Sequence, residues 1–278
     1  METLLQKKPV EQLTFADDGM FQAVLRDPQI SAELVELLLG IKVKNIGYPE
    51  LEKAIKPFYT TKGVRLDVYL KDEDKVIDVE LQSYEMEALG KRMRYYGAML
   101  DMDALMKGKD YPELKESYVL FICKHDPFKN SNKKPFGLPR YTFRNVCAEN
   151  GSVNLDDKSV KVVYNASAYE MEKDERIRAL LRFVQTNEPG RDEFSNRLSA
   201  IVERLKENEQ FKEDYAGMNL HDRDLIRAAK KEAYAENTVE NAKKLLADGK
   251  YTAEEISALL GVPVEAFALA AQPAPAQA

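Results

Sequence analysis

The sequence predicts an α/β fold: a small mixed sheet flanked by helices, followed by an all-helical C-terminal region. Three observations carry this reading. Between residues 63 and 165, short runs alternating apolar and polar residues surround one amphipathic helical stretch. Before them, Leu34, Leu37, Leu38 and Ile41 recur at helical spacing, with Gly40 placed as a C-cap. Past residue 170 the alternation stops, and Glu, Lys and Ala dominate.

The strand-like runs are GVRLDVYLKD, KVIDVELQ, SYVLFICKHD, PRYTFRNVCAE and VKVVYN. The helix between the second and third is expected over Glu85–Lys107. Its Met86, Leu89, Met93, Tyr96, Leu100 and Ala104 step by three and four, a stripe that faces a core. Beyond it, EKDERIRALLRFVQ and SNRLSAIVERLKENEQF read as amphipathic helices. A long charged helix over Asp222–Asp248 is ended by Gly249. Two short helices joined at Gly261-Val262-Pro263 follow, the first with a capping box at Thr252 and Glu255. The expected divisions are a core over 10–168, a helical region over 169–248, a small helix-turn-helix-like module over 249–271 and a flexible tail over 272–278.

Composition bounds the function. With 278 residues, 44% hydrophobic and 32% charged, the chain can build a packed core, which excludes wholesale disorder. The net charge of −6 argues against coating nucleic acid by bulk charge and leaves room for a locally basic cleft. No stretch approaches the roughly 18–20 apolar residues of a membrane span, and METLLQKKPVEQLTF lacks the features of a secretory signal. Two cysteines make no disulfide framework, so a reducing cytoplasm is the expected location. Cys123, His125 and Cys147 fit no zinc spacing.

The chemistry is concentrated in residues 63–82. Val64, Leu66, Val68 and Leu70 alternate on one face of a first strand, and Ile77, Val79 and Leu81 on one face of a second. Arg65, Asp67 and Tyr69, then Asp78, Glu80 and Gln82, take the other faces, the pattern of a half-buried hairpin. A turn centred on Glu73-Asp74 puts Asp67 opposite Glu80. Opposed like charges cost about 0.2–1 kcal/mol when exposed, and more when sheltered. A divalent cation would offset the repulsion. Mg²⁺ takes oxygen ligands, uses one or two carboxylates and keeps room for water and phosphate oxygens. A solvated outer face is the competing reading of the same acids.

Together the strings LTFADDGMF, KGVRLDVYLKDEDKVIDVELQ, KRMRYYGAMLDMDALMKGKDYPELKESYVLFICKHDPF and YTFRNVCAEN resemble the Rpn-type recombination-promoting nuclease and transposase family of the PD-(D/E)xK nuclease superfamily. The resemblance covers residues 13–165. It implies a Mg²⁺-dependent DNA endonuclease, with Mn²⁺ as a possible substitute, linked to recombination or mobile elements. It implies Asp67 and Glu80 as metal carboxylates, the Leu81 carbonyl as a further ligand, and Asp18 as a more distant acidic match. Gln82 takes the place of the signature Lys. A Gln brings no charge to the phosphate, so Arg65, Lys62, Arg92 and Arg94 are candidates to replace it. The catalytic set is then Asp67, Glu80, Gln82 and Arg65. The alternative function is a catalytically weak or inactive nuclease fold that binds nucleic acid or protein.

DNA contacts are expected from Arg92, Arg94 and Tyr95 on the central helix. They are also expected from Lys129, Lys133, Lys134 and Arg140 in KHDPFKNSNKKPFGLPRYTFR, which holds six Lys/Arg against one Asp. A hairpin tip with ordinary turn chemistry is the competing reading of that stretch. The last helical pair offers no Arg, Lys, Asn or Gln on PVEAFALAA to read bases, so it is expected to serve packing or homo-oligomerisation.

Overall fold

The computed structural model describes residues 8–44, 49–55, 64–105, 108–217 and 238–268. Residues 8–212 belong to one compact unit, and those from Glu213 onward to another.

Two helices open the first unit. α1 (Asp18–Leu25) follows Asp17, whose carboxylate accepts from Thr14 N at 2.7 Å and from Thr14 Oγ1 at 2.8 Å. α2 (Pro28–Leu39) starts where Asp27 Oδ1 accepts from Gln29 N and Ile30 N, with Pro28 in the first turn. It ends at Gly40, whose φ of 68° lets the chain leave in the left-handed region.

A six-stranded mixed sheet follows, built from β1 (Glu50–Ile55), β2 (Val64–Lys71), β3 (Lys75–Gln82), β4 (Glu116–Cys123), β5 (Arg140–Phe143) and β6 (Ser159–Asn165). The spatial order is β1-β2-β3-β4-β6-β5. β1–β2, β2–β3 and β5–β6 are antiparallel, whereas β3–β4 and β4–β6 are parallel. Parallel neighbours need a crossover, and between β3 and β4 that crossover is α3 (Leu89–Ala104).

α3 lays the expected stripe on one face of the sheet. Leu89, Met93, Tyr96, Met99 and Leu100 join Tyr69, Val76, Val119, Phe121, Cys123 and Val163 in one buried cluster, with Met86 and Ala104 at its edge. Val163 faces this cluster, so Tyr164 points to the opposite side. There the Tyr164 hydroxyl donates to the Leu38 carbonyl of α2 at 2.8 Å. The second layer is completed by α4 (Glu175–Thr186), which contacts α2, and α5 (Glu193–Glu207), which contacts α1 and α4. Phe15 knits it together, its ring 5.4 Å from both Phe21 and Phe183.

Helices on both faces correct the half-buried hairpin that the alternation predicts. All eight residues of β3 are buried, Asp78, Glu80 and Gln82 included. Parallel strands in the middle of a sheet are covered on both sides, so their polar positions are buried with the rest. β1 has no counterpart among the predicted runs. PRYTFRNVCAE shortens to the four residues of β5, an edge strand.

In the second unit, residues 238–247 are helical and Gly249 follows at φ 68°. Residues 222–237 of the expected long helix lie outside the described residues. The Thr252–Glu255 capping box caps the helix Ala253–Leu260, and Gly261 ends it at φ 67°. A short helix, Glu265–Ala268, follows. Ala242, Ile256, Val262 and Phe267 form the small core of this unit. Among the described residues, no helix is long and apolar enough to cross a membrane.

Candidate active site

The β2–β3 ladder fixes the site. Val68 pairs with Val79, Tyr69 with Asp78 and Leu70 with Ile77, so the next step of the register brings Asp67 against Glu80. At that step the side chains take over from the backbone. Asp67 N donates to Glu80 Oε1 at 2.8 Å, and Leu81 N donates to Asp67 Oδ2 at 3.2 Å. Each acid is thus clasped to the other's strand, and the two carboxylates converge on one face.

Convergence in a dry place is electrostatically costly. Burial pushes Asp67 up to about 6; the nearby Asp18 charge adds to this, and the Leu81 amide opposes it. Glu80 is pushed to about 8, first by burial and then by the Asp67 charge. Asp78, on the same side of β3, is fully buried. Burial, then the Glu80 and Asp67 charges, hold it well above the ordinary carboxylate range. Neither Asp78 oxygen accepts from a backbone amide or a cation, and its polar neighbour is the Glu80 carboxyl.

A cation stands beside this acidic centre. Arg92 of α3 donates from Nη2 to Glu80 Oε2 at 3.1 Å, from Nε to the Tyr96 hydroxyl at 2.8 Å and from Nη1 to Met86 Sδ at 3.1 Å. Its guanidinium lies 4.9 Å from the Tyr96 ring centre and 5.6 Å from that of Phe121. The sequence assigns Tyr96 to the core stripe, and it is buried there. Its hydroxyl role was nevertheless open to inference, because Arg92 and Tyr96 are spaced i, i+4 and such residues are neighbours on a helix.

The other predicted residues fall around this centre. Gln82 is buried, and its Nε2 donates to the Tyr84 carbonyl at 3.0 Å. Arg65 is exposed and paired with Glu52 of β1 at 3.3 Å, close enough for its charge to oppose the rise in Asp67. Asp18 is exposed at the start of α1, a segment tied to the end of β3 by Ser83 Oγ donating to the Ala16 carbonyl at 2.5 Å. Arg94 and Tyr95 are exposed on α3. Lys62 lies outside the described residues.

Beyond β3 a cavity of about 580 Å³ opens at the carboxyl end of the strand, lined by Gln82, Tyr84, Met86, Cys123, His125 and Lys129 among others. Lys129 pairs with Glu85 at 2.9 Å. Lys133 sits at φ 60° in the turn where Lys133 N donates to the Asn130 carbonyl, and Lys134 N donates to Asn130 Oδ1. Arg140 lies over the Tyr164 ring at 5.7 Å. Cys123 is a core residue, its thiol pushed up to about 12 by burial.

The donor set suits a hard divalent cation in kind: oxygen only, with two carboxylates on neighbouring strands. Asp67 and Glu80 draw three donors between them, and the Asp78 oxygens beside them draw none from a backbone amide or a cation. Among the described residues, no three or more His, Cys, Asp or Glu side chains gather as a ready metal cluster, so Asp18 does not close a triad with Asp67 and Glu80. A Mg²⁺ site of two carboxylates completed by waters and substrate needs no third acid.

A mixed sheet with an Asp on one strand and Glu-x-Gln on the next has the layout of a PD-(D/E)XK-type nuclease core. Family comparison agrees in kind: residues 26–137 match the model of the PD-(D/E)XK nuclease family transposase. The segment contains both acids, Arg92 and most of the basic excursion after β4. Neither the curated proteins nor the solved structures gave a match.

Proposed function

We propose that the chain is a divalent-cation-dependent DNA endonuclease that hydrolyses phosphodiester bonds during recombination or mobile-element movement. The observation that carries this reading is the reciprocal clasp of Asp67 and Glu80, which holds a half-buried acid and a buried one at one point. Asp67 and Glu80 would hold Mg²⁺, or Mn²⁺ in its place, with the Leu81 carbonyl as a further oxygen. When bound, the ion would lower the pKa of a water and polarise the phosphate. The protein's own part is to fix the two carboxylates through backbone amides and to shelter them beneath α3. The family match over residues 26–137 supports the nuclease and the mobile-element link.

The DNA backbone would run along the basic side of the β3 carboxyl end. Lys129 lines the cavity next to Gln82, with Lys133, Lys134 and Arg140 beyond it and Arg94 and Tyr95 exposed on α3. Self-association is assigned to the C-terminal helices, where Leu259 is exposed.

Supercoiled plasmid incubated with Mg²⁺ or Mn²⁺ tests the reading. Nicking that Asp67→Asn and Glu80→Gln both abolish supports it. Gln82 favours a second reading, because its amide is spent on the Tyr84 carbonyl and brings no charge to a phosphate. On that reading the chain binds DNA without metal and does not cut it, and a mobility shift without nicking is its signature.

A further inference from the structure

We propose that Arg92 and a divalent cation compete for Glu80, and that Arg92, once displaced, brings to the scissile phosphate the positive charge that Gln82 lacks. This rests on the nuclease reading above and assigns its missing cation.

The contacts of Arg92 carry the inference. One guanidinium nitrogen holds Glu80 Oε2, and the remaining partners are a phenol, a thioether and two aromatic faces. A single anion therefore holds the group, and the others are soft contacts that a long side chain can leave. Glu80 has 2% of its side chain exposed and Arg92 has 32%, so the arginine forms the solvent-side cover of the acid. Met86, which Arg92 touches, lines the cavity next to Gln82, so Arg92 is one contact away from that space.

Among the described residues, three other cations on or beside this part of the sheet have acidic partners of their own. Arg65 pairs with Glu52, Lys129 with Glu85, and Lys75, at the far end of β3, with Asp74. With Arg92 in place, both Glu80 oxygens are taken, one by the Asp67 amide and one by the guanidinium. A divalent ion, held by Asp67 as well as Glu80, has the stronger claim on the carboxylate. Release of Arg92 then frees, on a long side chain beside the site, the positive charge that Gln82 does not supply.

The test uses the full chain and Mn²⁺ titration calorimetry beside plasmid nicking. Arg92→Met should bind Mn²⁺ about tenfold more tightly, because one charge-assisted hydrogen bond no longer competes. It should nick plasmid about 10²-fold more slowly, the usual cost of a lost electrostatic donor. Arg92→Lys should fall between wild type and Arg92→Met in both. Where Arg92→Met does not fold, Arg92→Gln carries the same loss of nicking and a smaller gain in Mn²⁺ affinity, since it keeps a neutral donor for Glu80 without the charge. Unchanged or weaker Mn²⁺ binding in these neutral variants, or nicking at the wild-type rate, overturns the proposal. If wild type still binds Mn²⁺ and nicks through Asp67 and Glu80, the nuclease reading survives that failure. A wild-type chain that does not bind Mn²⁺ ends both.

Discussion

Asp126 and Asp78 are both buried acids of the same sheet unit, and they live in opposite ways. Asp126, just after β4, is saturated: its oxygens accept from Phe128 N at 2.9 Å, Gly137 N at 2.7 Å and the Tyr141 hydroxyl at 2.8 Å. These bonds fasten both ends of the basic excursion. Asp78, in the middle of β3, accepts from no backbone amide or cation and shares its surroundings with Glu80 and Asp67. A buried acid that the fold has furnished with donors is structural. Acids crowded together with fewer donors than oxygens mark a place that the fold has left electrostatically unfinished, and such places are candidates for function.

The contrast can be pressed by mutation. The largest effect is expected at the acid pair. Asp67→Asn or Glu80→Gln should cut metal-dependent nicking by at least about 10²-fold, the scale of a lost electrostatic contribution to the transition state, while circular dichroism shows a folded chain.

Next comes Asp126→Ala. It strands two half-buried amides and a phenol and should destabilise by about 1–3 kcal/mol, read in a urea melt. Asp78→Asn should cost less than Asp126→Ala, because it strands no backbone amide and keeps a polar group beside Glu80. Equal losses for the two substitutions would erase the distinction between them.

The pH dependence follows from the raised acids. Asp67 and Glu80 titrate near 6 and 8 in the fold, against ordinary values of 3.8 and 4.5. Between those limits the folded state holds more protons than the unfolded one. Stability of the metal-free protein should therefore be greatest near pH 4 and fall as pH rises towards 8. Glu80→Gln should flatten that slope, and thermal melts from pH 4 to 8 check it. A metal-free melting temperature that rises across this window contradicts the burial of the pair.

The smallest effect belongs to the excursion's surface. Lys129→Ala breaks an exposed pair with Glu85, 40% and 68% exposed, and should change stability by under about 0.5 kcal/mol. It should lower the salt dependence of DNA binding by about one unit of slope.

The sequence made some of this visible, for local reasons. The hairpin was readable because Val64 to Gln82 alternate with period two and Glu73-Asp74 marks the turn, so the facing of Asp67 and Glu80 follows from register alone. The α3 stripe was readable from its three-and-four spacing. What escaped depends on distant chain. Nothing within KVIDVELQ says that α3 will cover Asp78 and Glu80 on one side and a second helical layer the other. ELEKAI, with Glu50, Glu52 and Lys53, carries too little alternation to announce an edge strand. Helical spacing sets the face on which Arg92 stands. It does not say whether the side chain reaches outward to DNA or inward to Glu80, and the structure places it on Glu80.

The most direct measurement is Mn²⁺ binding by calorimetry to the wild-type chain, Asp67→Asn and Glu80→Gln. Asp67 and Glu80 acting as one oxygen site predict saturable binding in the wild type that either substitution removes. Binding that survives in both variants would contradict the shared site on which the account rests.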